Sequence, residues 1–520
     1  MSIKKSDAAS VLGINVKDID ELCNSINSDV ISKDDYKLLV DLYTGDNPNE
    51  LYDKGDDIFY DASLDDELAI PILTKAADKG SINAMLLLAE AYFKGYGVEP
   101  DEDKAIDYLN ECLHYDYMPA YYFAGILLNE GKYLEQNLEK AFSLMEIAAQ
   151  NEHKRAMFKL GVFYEYGEGV EANPTKALEW YEKAGNAGVG AALYNSGIFY
   201  QYGKGTDMDL SKAYDYYCRA SDIGYHDAYR KLGDWYFEGL YVEKDYEKSF
   251  HYYKKAYDAG NAKASADLGF MYHKGLGVQK DFEKAYNLYK IAIDNGLYWV
   301  AKHLGNMYEK GEYVSKDAEK AFKWKLMAAD NGDVYVMNGV GVAYHNGLGV
   351  EKDLAKAFEY FMKASENGDS MGTSNLGVLY MNGDYVQRNY HKALKYFIDA
   401  ANEGNDYALY HLAYMYELGM GVKRNKPLAK RIYCASAAKG NEEAKRKVLQ
   451  MTSNSASLQE IQDIGYKFLE DYAKDKLKDL ISDIVSDAFD KIIDEEGSVV
   501  SDVVGDAVAE GIMWGFGLED

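Results

Sequence analysis

The chain has 520 residues, of which 48% are hydrophobic and 28% charged, a composition typical of folded proteins and not of disordered ones. Its formal net charge of −29 argues against non-specific nucleic-acid binding and against docking on an anionic membrane surface. Tyrosine is frequent, at 49 residues, and proline is rare, at 6, which favours a largely helical chain with an aromatic interior.

Cysteine spacing and targeting signals predict the compartment. Cys23, Cys112, Cys218 and Cys434 lie far apart, without the spacing of metal ligands or redox pairs. Neither an apolar signal-peptide core nor an uninterrupted apolar run of about 20 residues is present. These features predict a reduced, cytoplasmic, soluble protein with no membrane span.

The first segment, residues 1–68, is acidic, with 17 acidic and 6 basic residues. It is expected to form short capped helices, with Asn15 before a helix over 16–26 and a capping pair at Ser32 and Asp35 before 33–43. The ends of helical arrays need a polar outer face, so we interpret 1–68 as an acidic N-terminal helical cap.

A repeat of 36 residues follows without insertion through ten units. We number its positions from a small residue, which is position 0. A leucine commonly precedes this residue, and an aromatic residue follows it three positions later in nine units. Alanine commonly occupies position −5, so the four positions share one stripe of a helix, called helix A. Position 0 is occupied by Ala89, Gly125, Gly161, Gly197, Gly233, Gly269, Gly305, Gly341, Gly377 and Ala413.

Each unit also contains the signals for a helix stop and a second helix start. Position +6 is always glycine, which predicts a left-handed end of helix A. Position +12 is always Asp or Asn, which predicts the N-cap of a second helix, called helix B. Lysine occupies position +15 in nine units although a cation near a helix start is unfavourable. Two explanations stay open: pairing with an acid of a neighbouring unit, or covering of apolar surface by the lysine stem.

The pattern A-x3-LG-x2-Y-x2-G-x-GV, followed by D-x2-KA-x2-Y/W-Y-x-KA-x3-G, resembles the Sel-one-like repeat family, a branch of the tetratricopeptide-like solenoids. The stretch from Gly269 to Gly296 shows it well, and the resemblance covers 69–450. It implies an all-α fold, an α/α superhelical solenoid of ten to eleven helix hairpins with helical caps. The second unit is the weakest, because Leu128 replaces the tyrosine and because Asp116 and Glu152 stand where two units should end in glycine.

The last segment, residues 451–520, is predicted to be an acidic amphipathic helical tail. A 3–4 spacing of apolar residues predicts a helix over 457–496, which Gly497 ends. Residues 498–516 are apolar except for three acids, which argue against a bilayer span. The tail is expected to fold against the end of the array or to self-associate; the alternatives are docking of a partner and attachment to a membrane surface.

Signatures of catalysis and of metal or cofactor binding are missing from the sequence. It lacks HExxH, P-loop, GxSxG and dinucleotide-binding motifs. Because some relatives in the resembled family are described as penicillin-binding or β-lactamase-like, SxxK is relevant; it occurs at 2–5 and 436–439 without SDN or KTG. The nine histidines are scattered and expected at polar surface positions. We therefore predict no enzyme, no catalytic residue, no metal and no cofactor.

A partner is expected along helix A, which the resemblance places on the concave face of the solenoid. Positions −2 and −3 vary between units, so they are expected to face the groove and to bind an extended peptide or a protein surface. We call this set the strip; it consists of Lys159, Tyr194, Asn195, Arg230, Lys231, Asp267, His303, Asn375, Tyr410 and His411.

The resulting functional prediction is a non-catalytic protein–protein interaction scaffold or adaptor. The first alternative is an assembly or regulatory protein that acts through its acidic C-terminal helices, with the repeats as a rigid spacer. A hydrolase-like activity is the less favoured alternative, since no nucleophile and base are placed together. A secreted factor is a further alternative; exported cysteine-rich members of the resembled family carry paired cysteines in each repeat, and this chain lacks such pairs.

Overall fold

The computed structural model describes residues 3–4, 30–31, 66–453 and 456–473. The chain forms two compact units, Met1–Ala264 and Ser265–Asp520, called the first unit and the second unit. At the start of the first unit, strand β1 (Ile3–Lys4) pairs antiparallel with strand β2 (Val30–Ile31). The helices predicted over 16–26 and 33–43 lie outside the described residues.

The rest of the described chain is helical, which confirms the all-α solenoid class. The helices are α1 (Asp66–Asp78), α2 (Ile82–Lys94), α3 (Glu102–His114), α4 (Met118–Glu130), α5 (Leu138–Gln150), α6 (Lys154–Tyr166), α7 (Pro174–Asn186), α8 (Gly190–Tyr202), α9 (Leu210–Asp222), α10 (His226–Glu238), α11 (Tyr246–Asp258), α12 (Ala262–Lys274), α13 (Phe282–Asp294), a 3-10 helix (Tyr298–Val300), α14 (Ala301–Lys310), α15 (Ala318–Asp330), α16 (Val334–Asn346), α17 (Leu354–Glu366), α18 (Ser370–Asn382), α19 (Tyr390–Asn402), α20 (Asp406–Leu418), α21 (Lys426–Ala438), α22 (Glu442–Met451) and α23 (Leu458–Ala473).

The ten A helices are the even-numbered helices from α2 to α20, and the ten B helices are the odd-numbered helices from α3 to α21. Every A helix ends at the predicted position +6 glycine, whose φ lies between 65° and 82° in all ten repeats. Every B helix begins at the predicted Asp or Asn, whose side chain accepts a hydrogen bond from the backbone N–H at position +15. The helix starts and stops were therefore predicted correctly.

The small residue at position 0 allows the two helices of a repeat to approach closely. In repeats three to six the ring of a buried tyrosine at position +20 of helix B lies directly against this glycine. A Cβ atom built on Gly197 would stand 2.6 Å from the ring of Tyr217, a distance that real contacts do not reach. In these four repeats the glycine is therefore the residue that admits an aromatic ring to the core of the hairpin.

The lysine at position +15 has a structural explanation that neither open alternative describes fully. In eight repeats its ammonium lies 4.8 to 5.6 Å from the centre of the position +3 tyrosine ring of the same repeat. The ninth, Lys140, belongs to the repeat that has Leu128 in place of this tyrosine. A cation–π contact of this kind offsets the unfavourable helix-dipole interaction, because both are about 0.5–1 kcal/mol.

Several side chains occupy backbone conformations that favour glycine. Tyr241, Tyr313 and Tyr385 at position +8 have φ of 64° to 68°, and Asp116 and Glu152 at the ends of units have φ of 50° and 62°. Each of the three tyrosines packs at a tilt against an aromatic ring of the preceding B helix, with ring centres 5.5 to 5.7 Å apart, and this contact offsets the strain. The chain thus keeps its loop geometry where the expected glycine is missing.

The end of the second unit is closed by α23. Ile461 and Phe468 are 2% and 6% exposed and join the core that contains α21. A Cβ atom on Gly465 would lie 2.4 Å from the carbonyl oxygen of Cys434, so α23 and α21 touch through their backbones. The predicted helix over 457–496 is thus present in its described part. The rest of it, and the segment 498–516, lie outside the described residues.

Candidate protein-binding surface

The strip lies beside the position +20 side chains of the B helices, which are aromatic rings in seven of the ten repeats. The position −3 side chain of the same repeat contacts this ring in three cases: Phe158 with Tyr181, Tyr194 with Tyr217, and Tyr410 with Tyr433, with ring centres 5.5 to 5.7 Å apart. The position −2 side chain of the next repeat contacts it from the other side, as His303 does on Tyr289. Positions −3 and −2 therefore flank a row of B-helix rings.

A polar acceptor lies beside most of these rings. The hydroxyl of Tyr181 donates to Glu165 at 2.7 Å, that of Tyr217 to Gln201 at 2.7 Å, and that of Tyr433 to Glu417 at 2.9 Å. All three acceptors occupy position +4 of the A helix. Burial, reinforced by the hydrogen bond to Glu165, raises the pKa of Tyr181 above its ordinary value, so the phenol stays protonated and donates.

The position +4 acceptors and the position +20 rings were not among the predicted site residues. The sequence contains their signal, a tyrosine sixteen residues after a carboxylate or amide, but this spacing joins two helices. The pairing of acceptor and tyrosine can be recognised only when the two helices of the hairpin are known to pack together.

All ten strip residues are half-buried in the structure, neither fully in the core nor fully in solvent. The first unit holds five of them, Lys159, Tyr194, Asn195, Arg230 and Lys231. Arg230 forms a 3.8 Å ion pair with Asp234 one turn later on the same helix. Lys159 and Lys231, in contrast, form neither a hydrogen bond nor an ion pair with any residue that the structure describes.

The second unit holds the other five, and most of these pack against neighbouring side chains. Asn375 donates to the side-chain oxygen of Asn338 on the preceding A helix at 2.7 Å. His303 and His411 stack almost parallel on Tyr289 and Phe397, with ring centres 5.1 and 5.0 Å apart. Asp267 and Tyr410 complete the strip residues of this unit.

Three of the nine histidines, His273, His303 and His411, differ from the expectation that they lie at polar surface positions. His273 is 6% exposed, and its Nε2 lies 2.8 Å from a carboxylate oxygen of Glu312. Burial lowers the pKa of both His303 and His411 to about 4, so both strip histidines are neutral near pH 7. A neutral ring stacked on an aromatic ring is a packing element, and it removes positive charge from the strip of the second unit.

The second unit also has a pocket of about 250 Å³ on the strip. Its apolar floor includes Phe361, the position +20 residue of repeat eight, and its polar wall includes His345 and Asn375. Phe361 has no hydroxyl, unlike the tyrosine at the same position in repeats three to six, so the space that a phenol and its acceptor fill elsewhere is open here. Of the predicted strip residues, Asn375 lines this pocket.

Within the described residues, no helix is long and apolar enough to cross a membrane. No group of three or more His, Cys, Asp or Glu side chains in that part of the chain has the arrangement of a metal site. Cys112, Cys218 and Cys434 are free thiols there.

Comparison with known proteins identifies the repeat. The Sel1 repeat model matches ten segments: 82–111, 119–153, 154–189, 190–225, 226–261, 262–297, 301–333, 334–369, 370–405 and 406–441. No curated protein matches the chain significantly in sequence.

Among solved structures, the chain is similar to c5321, described as a protective antigen present in uropathogenic Escherichia coli strains displaying an SLR fold. The TM-score is 0.52 at 22% identity, over 82% of this chain and 98% of that chain. A Sel1 repeat protein from Oxalobacter formigenes has 27% identity and a TM-score of 0.47, over 58% of this chain and 88% of that chain. The first likeness shows the fold. Since the matched repeats run from residue 82 to residue 441, the chain belongs to the Sel1 repeat family.

Proposed function

We propose that this protein is a non-catalytic scaffold that binds a segment of another protein along the strip. The fold supports this proposal, since a row of helix hairpins presents a long surface whose side chains change from repeat to repeat on a constant frame. Half-buried polar and aromatic side chains on successive repeats within each unit are typical of protein recognition, and small-molecule pockets are more enclosed.

The observation that carries the proposal is the pair of unpartnered cations in the first unit. Neither Lys159 nor Lys231 has a counter-ion among the described residues, although the chain has a net charge of −29 and carboxylates are abundant. Lys159 and Lys231 occupy the same position −2 of repeats three and five, and Asn195 lies between them in repeat four. The first-unit strip thus offers two charges that an acidic ligand neutralises.

The spacing of these lysines defines the ligand. Neighbouring packed helices lie about 8–10 Å apart, so two repeats span roughly 16–20 Å. An extended chain advances about 3.3 Å per residue, and five or six residues therefore cover that distance. We propose a partner with acidic side chains six residues apart in an extended segment, because an even separation places both acids on the same face. The amide of Asn195 can bond the backbone of this segment.

The test is affinity capture from native lysate with full-length protein, followed by cross-linking and mass spectrometry to locate the contact. Lys159→Glu combined with Lys231→Glu reverses both charges and is expected to abolish capture of a partner that cross-links to the strip. The matched control is Lys140→Glu with Lys290→Glu, which changes the same charge at exposed lysines of two B helices. Equal capture by both double variants would contradict the proposal.

The second candidate is a function of the acidic C-terminal segment. It is favoured by the packing of α23 on α21, which anchors the chain at the end of the second unit just before residue 474. Neutralising Asp479, Asp483 and Asp487 to Asn in the full-length protein tests it. Loss of the partner in this variant, with capture intact in the two-lysine variant, would assign the function to the tail.

A further inference from the structure

A second row of side chains, distinct from the strip, lies at position −6 of the repeats in the second unit. Four successive repeats carry large apolar residues there: Trp299, Tyr335, Met371 and Tyr407. Their exposed fractions are 45%, 90%, 38% and 51%. The first unit has Pro119, Arg155, Ala191 and Asp227 at the same position in repeats two to five. We call the four second-unit residues the aromatic row.

Core packing does not account for the aromatic row. The buried stripe of helix A uses positions −5, −1 and 0, whereas position −6 turns its side chain to solvent, as the exposure of Tyr335 shows. Exposed apolar residues that stand singly are normal, but a contiguous series on four neighbouring repeats marks an interaction surface. Trp and Tyr are also the residue types that contribute most to binding energy in protein interfaces.

The row is held in place by its neighbours. The ammonium of Lys302 lies 5.6 Å from the ring centre of Trp299 and 5.4 Å from that of Tyr335, so both rings share one cation. Lys302 is itself fixed by a 2.8 Å ion pair with Asp333, whose side chain is 3% exposed. Farther along, the side-chain amide of Asn405 lies 3.1 Å from the sulfur of Met371. The rings are therefore positioned before a ligand arrives.

The distance between successive residues of the aromatic row indicates which ligand conformation can contact all of them. The A helices α16, α18 and α20 contact one another in sequence, and packed helices lie about 8–10 Å apart. A polyproline II helix has three residues per turn and rises about 3.1 Å per residue, so one face recurs about every 9 Å. A β-strand presents the same face about every 7 Å, and the anchor residues of an α-helix recur about every 5–6 Å. Only the polyproline II repeat places one side chain on each ring of the row.

Hydrogen-bond donors beside the row suit the same ligand. A polyproline II segment makes no internal hydrogen bonds, so its carbonyl oxygens need external donors. Position −3 lies one turn along the same face, and it carries Lys302 and Asn338. The oxygen of the Asn338 amide accepts from Asn375 at 2.7 Å, and its NH₂ group has no partner among the described residues. Lys302 and Asn338 can therefore donate to ligand carbonyls.

From these observations we infer that the aromatic row binds a proline-rich segment of another protein in the polyproline II conformation. The inference rests on the proposed scaffold function and adds a second ligand class on the second unit. The chain itself contains only 6 prolines, each isolated in sequence, so no segment of this chain or of a second copy supplies such a ligand.

The experiment titrates full-length protein into fluorescein-labelled decaproline and follows fluorescence anisotropy. Saturable binding is expected for decaproline, with at least tenfold weaker binding of a Gly-Ser peptide and of an amphipathic Leu-Lys helical peptide of equal length. Trp299→Ala combined with Tyr335→Ala is expected to weaken decaproline binding at least tenfold. A melting temperature within a few degrees of wild type is expected too, because both side chains are exposed.

Two matched controls sharpen the result. Tyr166→Ala with Tyr202→Ala removes two exposed tyrosines of the first unit, 69% and 62% exposed, and is expected to leave decaproline binding unchanged. Lys159→Glu with Lys231→Glu is also expected to leave it unchanged. If these lysines are needed for native partner capture while decaproline fails to bind, the proposed function stands and the inference falls.

Three other outcomes would overturn the inference. The first is equal loss of decaproline binding in the aromatic-row variant and the Tyr166/Tyr202 variant, or no loss in either. The second is tighter binding of the helical peptide than of decaproline. The third is a change of oligomeric mass on light scattering in the aromatic-row variant, which would make the row a contact between copies of this chain.

Discussion

At position −6 the first unit carries Pro119, Arg155, Ala191 and Asp227, whereas the second unit carries Trp299, Tyr335, Met371 and Tyr407. At position −2 the first unit has two lysines without a partner in the described part of the chain, whereas the second unit has two stacked, neutral histidines. Beneath both surfaces the same glycine lies against the same position +20 side chain. The comparison shows that the hairpins of both units pack in the same way; we call this common packing the shared frame. The two units differ instead at positions −6 and −2, which this packing leaves variable and at which we propose that ligands bind.

The largest expected effect tests the shared frame. Gly197→Val in the first unit and Gly377→Val in the second place a branched side chain where a Cβ atom already stands 2.6 to 2.7 Å from Tyr217 or Phe397. Each is expected to lower the free energy of unfolding by roughly 3 kcal/mol or more through overpacking. Urea unfolding followed by circular dichroism measures it. Gly188→Val is the control, since nothing lies within 4 Å of a Cβ there, so it bears only the strain of a positive φ. A small loss of unfolding free energy in only one of the two units would contradict the inference that both units share this hairpin packing.

A second prediction compares the rings beneath the strip. Tyr181→Phe leaves the half-buried carboxylate of Glu165 without its 2.7 Å donor and is expected to lower the unfolding free energy by about 1.5–2 kcal/mol. The converse change, Phe361→Tyr in the second unit, adds a hydroxyl to an open pocket and is expected to alter stability by less than about 0.5 kcal/mol. Equal effects of the two changes in urea unfolding would show that an acceptor beside the hydroxyl does not determine how much the hydroxyl contributes to stability.

A third prediction concerns the acid sensitivity that the buried strip histidine His411 gives to the second unit. His411 has its pKa lowered to about 4 by burial, against about 6.5 when unfolded, so the unfolded state binds the extra proton first. Stability is therefore complete above pH 6.5 and falls as the pH drops towards 4. Between pH 8 and pH 5.5 the loss from this one residue is about 1.4 kcal/mol.

His411→Asn, which introduces the residue type found at position −2 of repeats four and nine, is expected to remove that part of the pH dependence. The control is His251→Asn at an exposed histidine of the first unit, which is expected to leave the pH dependence unchanged. Urea unfolding at both pH values measures the difference. An unchanged pH slope in His411→Asn would contradict the assignment of a buried, neutral ring.

The smallest effect isolates the cation–π contact of the shared frame. Lys176 and Lys140 both follow an asparagine N-cap, but only Lys176 has a tyrosine, Tyr164, within 5.1 Å of its ammonium. Lys176→Met is expected to cost about 0.5–1 kcal/mol more than Lys140→Met. Urea unfolding curves, measured in duplicate for both variants, give this difference in unfolding free energy. An equal cost would show that the lysine acts through its aliphatic stem alone.

Much of the fold could be predicted from local patterns. The glycine at position +6 and the Asp or Asn at position +12 act on the backbone of their own residues and nearest neighbours, so their sequence pattern is sufficient. The role of Lys176 could not be predicted in the same way, because its partner, Tyr164, belongs to the other helix of the hairpin. The strip was placed on helix A from the resemblance, and its role in binding stays a prediction.

The sequence by itself determined the repeat, the helix boundaries and the family, since these depend on short-range hydrogen bonds and on a period that recurs ten times. Only the tertiary structure decided which side chains are covered. His411 and Tyr335 both occupy variable positions of helix A, yet one is stacked on a B-helix ring and the other is 90% exposed. The physical reason is that burial depends on neighbours from other helices, whose distance is set by packing and not by spacing along the chain.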